Sequence, residues 1–144
     1  MKVLIPVDGS KYAKEAITTA LSEGFLEDKE IHLITVVEGT ATGRGSYLSD
    51  EVVHQILDAQ AKVGNKILNE AKKLFEADRK ISVAYRVGDA AEKILEYAKT
   101  NDIDLIVMGS KGKGALQSML LGSVSIKVLQ YAQCPVLIMR KKKS

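Results

Sequence analysis

A run of glycines and serines late in the chain forms the part of this sequence best suited to chemistry, because it could hold a phosphate group. The residues concerned are Gly109, Gly112, Gly114, Gly122, Ser123 and Ser125. Glycine lets backbone N–H groups converge closely on an anion, and the first N–H groups of a helix have no partner within it. The two serines add hydroxyl groups where the helix dipole already favours negative charge. The segment therefore predicts an anion site between a strand and a helix.

The spacing matches neither of the two best-known phosphate motifs. A P-loop needs Lys and then Ser or Thr after its second glycine, but Ala115 and Leu116 follow Gly114. The dinucleotide fingerprint needs a third small residue where Gln117 stands. The phosphate hypothesis therefore depends on this chain's own pattern of glycine and serine.

The composition is that of one globular domain, residues 1–144, with 46% hydrophobic and 27% charged residues. Aromatic residues make up only 5%, and part of the net charge of +3 lies in the lysine tail at 141–143, so nucleic-acid binding is not indicated. The single cysteine, Cys134, excludes an internal disulfide and a cysteine-cluster metal site. No apolar run is long enough for a membrane span, and Asp8 interrupts the first one too early for a signal peptide. A cytoplasmic location without membrane contact is expected.

Apolar runs alternate with amphipathic segments, which predicts a parallel sheet with helices on both faces. The predicted strands are Lys2–Val7, Ile31–Val37, Ile81–Val87, Ile103–Met108 and Pro135–Arg140. Pro6 is expected at the end of the first strand, and the third strand, which is less apolar than the others, is a candidate edge. The predicted helices are one capped by Ser10 and ending near Gly24, one capped by Ser49 and running to about Ala77, one capped by Asp89, and one from Ser123 to Gln133.

Gly109, two residues, Gly112, nine residues and then Gly122-Ser123 resembles the nucleotide-binding signature of the universal stress protein family. The resemblance covers the whole chain and includes VLIPVDGS at the start, Gly88-Asp89-Ala90 in the middle and Cys134-Pro135-Val136-Leu137-Ile138 near the end. It implies a doubly wound, Rossmann-like α/β fold of the adenine-nucleotide alpha-hydrolase type, with five parallel strands in the order 3-2-1-4-5. Strand order then reverses between strands one and four, where Asp8 and Gly109 open a ligand crevice.

The same resemblance implies an ATP site in that crevice. Pro6, Val7 and Val36 would form the adenine wall, with backbone groups of Val36 meeting the base edge. Asp8 would contact the nucleoside and Gly109 the ribose. The other implied contacts, most of them with the phosphates, are Met108, Lys111, Gly112, Gly122, Ser123, Val124 and Ser125. A divalent cation, Mg²⁺ or Mn²⁺, would be held by the phosphates.

The resemblance also implies a homodimer through the fifth strand, with Val136, Leu137, Ile138 and Met139 at the interface. These apolar residues would lie on a sheet edge, which is a template for pairing with another chain.

The sequence offers little equipment for catalysis. His32 and His54 are separated from the glycine segment, and Cys134 has the setting of a small buried residue. Asp8 is the one carboxylate expected near the crevice.

Three functions follow from these observations. The first is an ATP-binding regulatory module with at most slow hydrolysis, in which nucleotide orders the glycine loop and the 38–49 loop and changes a surface that another, unknown protein reads. The second is a genuine ATPase or phosphotransferase that uses Arg44 of the 38–49 loop. The third is a dimerisation module that binds no nucleotide, against which the intact glycine spacing argues.

Overall fold

The computed structural model describes residues 1–39, 48–116 and 118–141, and it contains one five-stranded parallel sheet in the order β3-β2-β1-β4-β5. The elements in chain order are β1 (Lys2–Pro6), α1 (Lys11–Ser22), β2 (Glu30–Val37), α2 (Asp50–Lys72), β3 (Ile81–Val87), α3 (Ala90–Thr100), β4 (Leu105–Gly109), α4 (Ser123–Tyr131) and β5 (Val136–Met139). The predicted fold class and strand order are confirmed. None of the helices in these described ranges combines the length and apolar character needed to cross a membrane.

Aliphatic side chains fill both faces of the sheet, because successive side chains of a strand point to opposite faces. In β1, Val3 and Ile5 pack with residues of α1 and α2, whereas Leu4 packs with residues of α3 and α4. All three are fully buried, and each contributes about 1.5–3 kcal/mol through burial. The two cores hold the sheet rigidly between helix layers and leave the carboxyl ends of the strands for a ligand.

Several boundaries follow from local chemistry as expected. Pro6 is the last residue of β1, and β3 is an edge strand. The side chains of Ser10, Ser49 and Asp89 each accept a backbone N–H at the start of a helix.

The predicted end of the second helix at Ala77 is wrong, since α2 ends at Lys72. The N–H groups of Leu74 and Phe75 donate to carbonyls three residues earlier, which tightens the chain into a turn. This turn places the Phe75 side chain in the core beside α1, where it is buried. Burial of the aromatic ring therefore overrides the continuing helical pattern.

Other elements are also shorter than predicted: β1 ends at Pro6 and not at Val7, and β5 spans Val136–Met139 and not Pro135–Arg140. Strand β4 begins at Leu105 and not at Ile103, because Asp102 adopts a positive φ of 51° in the turn before it. Helix α4 ends at Tyr131 and not at Gln133, because Ala132 has an extended backbone.

Candidate functional site

A crevice of about 530 Å³ opens at the carboxyl ends of the strands, where β1 pairs with β2 on one side and β4 on the other. This is the position at which doubly wound sheets bind ligands. The lining includes all the residues predicted to contact nucleotide: Pro6, Val7, Asp8, Val36, Met108, Gly109, Lys111, Gly112, Gly122, Ser123, Val124 and Ser125. The fold thus brings residues from both halves of the chain to one site, while their contact with a ligand stays a prediction.

Asp8 joins the first turn of the chain to the glycine loop. Its Oδ1 accepts the N–H of Ser10 at 2.9 Å, and its Oδ2 accepts the N–H of Lys113 at 3.0 Å. Hydrogen bonds to a carboxylate are stronger than neutral ones, so this side chain fixes the loop over the start of α1. Both oxygens of the expected crevice carboxylate are therefore engaged by backbone donors.

Contacts and backbone conformation within the protein favour glycine at these loop positions, in addition to any contact with a ligand. A Cβ on Gly109 would lie 2.8 Å from the carbonyl oxygen of Tyr12 in α1, which leaves no room for a side chain. A Cβ on Gly112 would lie 2.6 Å from Asp8 Oδ2. Gly114 has open space around it, but its φ of +75° favours glycine. The first two glycines let α1 and the Asp8 carboxylate approach the loop.

The N-terminus of α4 lies on the crevice and has no side-chain cap. Gly122 occupies the N-cap position with φ −76° and ψ 162°, close to the values of −76° and 160° at Ser10, but it has no side chain to accept an N–H. Ser123, Val124 and Ser125 begin the helix and line the crevice. The first N–H groups of a helix have no intrahelical partner, so this end can accept an anion.

Two predicted phosphate contacts are already used within the protein. The N–H of Gly122 donates to the carbonyl of Ser110 at 2.7 Å, and the hydroxyl of Ser125 donates to the carbonyl of Gly109 at 3.1 Å. These bonds attach the helix to the end of β4. The groups that would face a phosphate are therefore the backbone N–H groups in the first turn of α4. The Ser123 side chain is exposed beside them.

Lys111 and Lys113 line the crevice and give its mouth a positive edge. The ammonium groups of Lys11 and Lys111 lie 5.2 and 5.6 Å from the ring centroid of Tyr12. The Lys113 side chain extends across Gly9, with Nζ 3.4 Å from a Cβ built there. A polyphosphate would be attracted to this edge.

Several residues that were not predicted from the sequence also line the crevice. These residues include Thr35, Glu38, Val63, Ile67, Ile94 and Met119. Glu38 is a second carboxylate there, so the expectation that Asp8 stands alone is wrong. No spacing in the sequence distinguishes these residues from core or surface positions, because only the strand order brings α2 and α3 to the same opening.

The other reactive side chains lie outside the crevice. His32 is buried and hydrogen-bonds to Tyr97 Oη at 2.7 Å and to Glu30 Oε1 at 3.0 Å. Burial raises the pKa of the Cys134 thiol, which keeps it in the less nucleophilic protonated form. Arg44 lies outside the described residues. Within the described ranges, no group of three His, Cys, Asp or Glu side chains could hold a metal ion.

A second and more open groove, of about 870 Å³, runs along the outer face of α2 near its end. Lys62, Lys66, Asn69 and Lys73 line it, and all four are exposed. Solvated lysines on one helix face form no converging set of polar groups, so the β1–β4 crevice is the stronger candidate.

The predicted dimer strand lies at the other edge of the sheet from β3. The side chains of Leu137 and Met139 pack with the α1 and α2 core, and those of Val136 and Ile138 pack with the α3 and α4 core. What β5 offers to a partner is therefore mainly its outer row of backbone groups.

Comparison with known proteins gives a consistent result. The model of the universal stress protein family matches residues 1–140 of the chain. The chain is 34% identical to the universal stress protein YxiE of Bacillus subtilis over 145 residues, which covers 96% of this chain and 98% of that protein. Its fold is similar to that of the universal stress protein UspA from Lactobacillus plantarum, with a TM-score of 0.81, 26% identity and 97% of each chain covered.

A more distant structure, a universal stress protein family protein from Arabidopsis thaliana with AMP bound, has a TM-score of 0.67 at 20% identity. The alignment covers 99% of this chain and 92% of that one. At this identity the similarity shows a shared fold.

Proposed function

This chain belongs to the universal stress protein family, and on that premise we propose that it binds ATP in the crevice between β1 and β4 and acts as a nucleotide-dependent regulatory module. The observation that carries the proposal is the uncapped N-terminus of α4. Its free N–H groups face a crevice with a lysine-lined mouth, and the crevice has the volume of a small-molecule site. The AMP-bound relative of the same fold supports an adenine nucleotide as the ligand.

The two ends of the crevice suit different parts of ATP. The phosphates would lie at the first turn of α4, near Ser123 and Lys113. The base would lie at the end of β2, against Val36 and the apolar side chains around it. Because the described residues offer no metal-binding cluster, Mg²⁺ or Mn²⁺ would arrive on the phosphates.

Regulation fits the site better than catalysis does. Asp8, the carboxylate between the two ends, accepts a backbone N–H on each oxygen, so it serves to hold the glycine loop and not to act as a general base. Hydrolysis would therefore be slow at most. Binding would instead rigidify the glycine loop and change the surface presented to an unidentified downstream protein in the cytoplasm.

The proposal is tested by giving α4 its own anionic cap with Gly122→Asp. The backbone angles at Gly122 are those of a capping residue, and the nearest atom to an added Cβ is Lys111 Cα at 3.4 Å, which is tolerable. We expect the carboxylate to raise the free energy of unfolding by about 0.3–1 kcal/mol and to abolish ATP binding, because it occupies the phosphate position. Calorimetric titration with ATP and thermal unfolding measure the two effects.

Gly122→Ala is the matched control, since it adds a Cβ without an acceptor and should largely retain binding. If wild type binds ATP and Gly122→Asp binds it equally well, the phosphates lie elsewhere. If stripped, folded wild-type protein binds neither ATP nor AMP, the nucleotide function is wrong and the dimerisation role alone remains.

We also propose that two copies of the chain pair through β5. This strand ends the sheet on one side, and Arg140 and Lys141 directly after it are exposed. Edge-to-edge pairing would complete the hydrogen bonding of the strand and make one continuous sheet across the dimer.

A further inference from the structure

We propose that the hydroxyl group of Thr35 hydrogen-bonds the nucleobase and makes this crevice selective among bases; the proposal rests on the nucleotide-binding function proposed above. Thr35 is the third residue from the end of β2, directly before Val36, and it lines the crevice. This is the end of the crevice away from α4, so a ligand whose phosphates lie at α4 would place its base here.

The Thr35 side chain is buried and lacks a partner. It is 1% exposed, and its Oγ1 has no hydrogen-bond partner among the residues that the structure describes. A buried hydroxyl without a partner is costly, and those retained in proteins commonly serve a ligand or a bound water. The lining near Thr35 is mostly apolar, with Ile34, Val63 and Ile67, and Glu38 at the end of β2 is the charged residue there.

The neighbouring packing explains why the methyl group does not face the ligand. Thr35 Cγ2 lies 3.5 Å from a Cβ built on Gly64 of α2, so the methyl packs against the helix. Gly64 itself is needed there, because its Cβ would lie 2.4 Å from the ring of Tyr85. With the methyl held by α2, the hydroxyl is the group of this side chain that remains for the crevice.

Tyr85 of the neighbouring strand β3 provides a matched control. It is the register partner of Thr35 in β3, and its Oη is also buried without a partner among the described residues. Tyr85 does not belong to the crevice lining. A contact with ligand is therefore expected of the threonine hydroxyl and not of the tyrosine hydroxyl.

The experiment measures dissociation constants of wild type, Thr35→Val, Thr35→Ser and Tyr85→Phe for ATP, GTP, CTP and purine riboside 5′-triphosphate. Thr35→Val keeps the shape and removes the hydroxyl, so ATP should bind about 3- to 10-fold more weakly. The loss should differ at least about three-fold between bases, because a site built around a polar group penalises bases that cannot pair with it. Thr35→Ser should restore most of the affinity, and Tyr85→Phe should leave it unchanged.

Thermal unfolding supplies a second readout. Without nucleotide, Thr35→Val should have a higher Tm than wild type, because an unpaired buried hydroxyl is removed. Saturating ATP should raise the Tm of wild type more than that of the variant.

The possible outcomes distinguish failure of base recognition by Thr35 from failure of the proposed nucleotide-binding function. Failure of folded wild type to bind any of the four nucleotides overturns both. If wild type binds ATP but Thr35→Val binds it equally well, or is weakened by the same factor for every base, base recognition by Thr35 is wrong and the nucleotide function stands.

Discussion

At the scale of single residues, the glycines of the loop have separate physical reasons to be glycine. Gly109 makes room for the backbone of α1 at Tyr12, Gly112 makes room for the Asp8 carboxylate, and Gly114 adopts a left-handed conformation. The pattern that resembles a nucleotide signature is thus also a packing requirement of the fold. A glycine substitution in this loop therefore needs a fold control before it is interpreted as loss of a ligand contact.

Because these reasons differ, replacing each glycine by alanine should lower the free energy of unfolding by a different amount. Gly109→Ala should lower the free energy of unfolding by about 1–3 kcal/mol, because the 2.8 Å contact is with backbone that cannot rotate away. Gly114→Ala should cost about 1 kcal/mol through its positive φ alone, since no atom of the described residues, apart from the two adjacent ones, lies within 4 Å of the added carbon. Denaturant unfolding of both variants gives the order, and a larger cost at Gly114 would contradict this account of Gly109.

At the scale of elements, hydrogen bonds of side chains decide how strands and helices are joined away from the crevice. Tyr97 of α3 bonds to His32 of β2 at 2.7 Å, and Arg86 of β3 lies over the Tyr97 ring at 5.7 Å from its centroid. This polar cluster, buried at His32 and Tyr97 and exposed at Arg86, connects three elements on the α3 face of the sheet. It explains the placement of His32 without any catalytic role.

The cluster predicts a dependence of stability on alkaline pH. Burial raises the pKa of the Tyr97 phenol, an effect that Arg86 opposes and Glu30 reinforces. A raised pKa means that the stabilisation is complete below the unfolded-state pKa, near 10, and is lost as pH rises through the higher pKa of the folded protein. Tyr97→Phe should therefore lose less stability between about pH 9 and 11 than wild type, as measured by urea unfolding across that range.

The same substitution should cost about 1–3 kcal/mol at neutral pH, because His32 Nδ1 loses its partner. Tyr131→Phe is the control, since Tyr131 is 68% exposed. If the free energy of unfolding falls equally steeply with rising pH in wild type and in Tyr97→Phe, groups other than Tyr97 cause the loss of stability.

At the scale of the whole molecule, the proposed dimer depends on backbone groups at the open edge of β5. The N–H of Ile106 donates to the carbonyl of Pro135, and Ile106 is in register with Val136. The backbone groups of Pro135 and Leu137 therefore face β4, whereas those of Val136 and Ile138 face outward. An outward N–H can be removed without breaking the ladder to β4.

Ile138→Pro removes that outward N–H, and the proline ring blocks the approach of a partner strand, so the variant should sediment as a monomer. Ile138→Ala loses the same core packing but keeps the N–H, and it should remain a dimer. A charge at position 137 would be less informative, because the Leu137 side chain packs with the α1 and α2 core. A dimer that survives Ile138→Pro would exclude pairing through β5.

The sequence by itself determined the alternating elements and three of the helix caps and, through the family resemblance, the sheet order and twelve of the residues at the crevice. The elements and caps depend on local patterns, such as apolar runs and Ser or Asp before a helix, and the resemblance depends on glycine spacing. Tertiary structure alone decided that Asp8 engages Lys113, that Gly109 meets Tyr12, and that Thr35 and Ile67 line the site. Those contacts join residues far apart in the chain, and they exist only once a parallel sheet aligns the carboxyl ends of its strands.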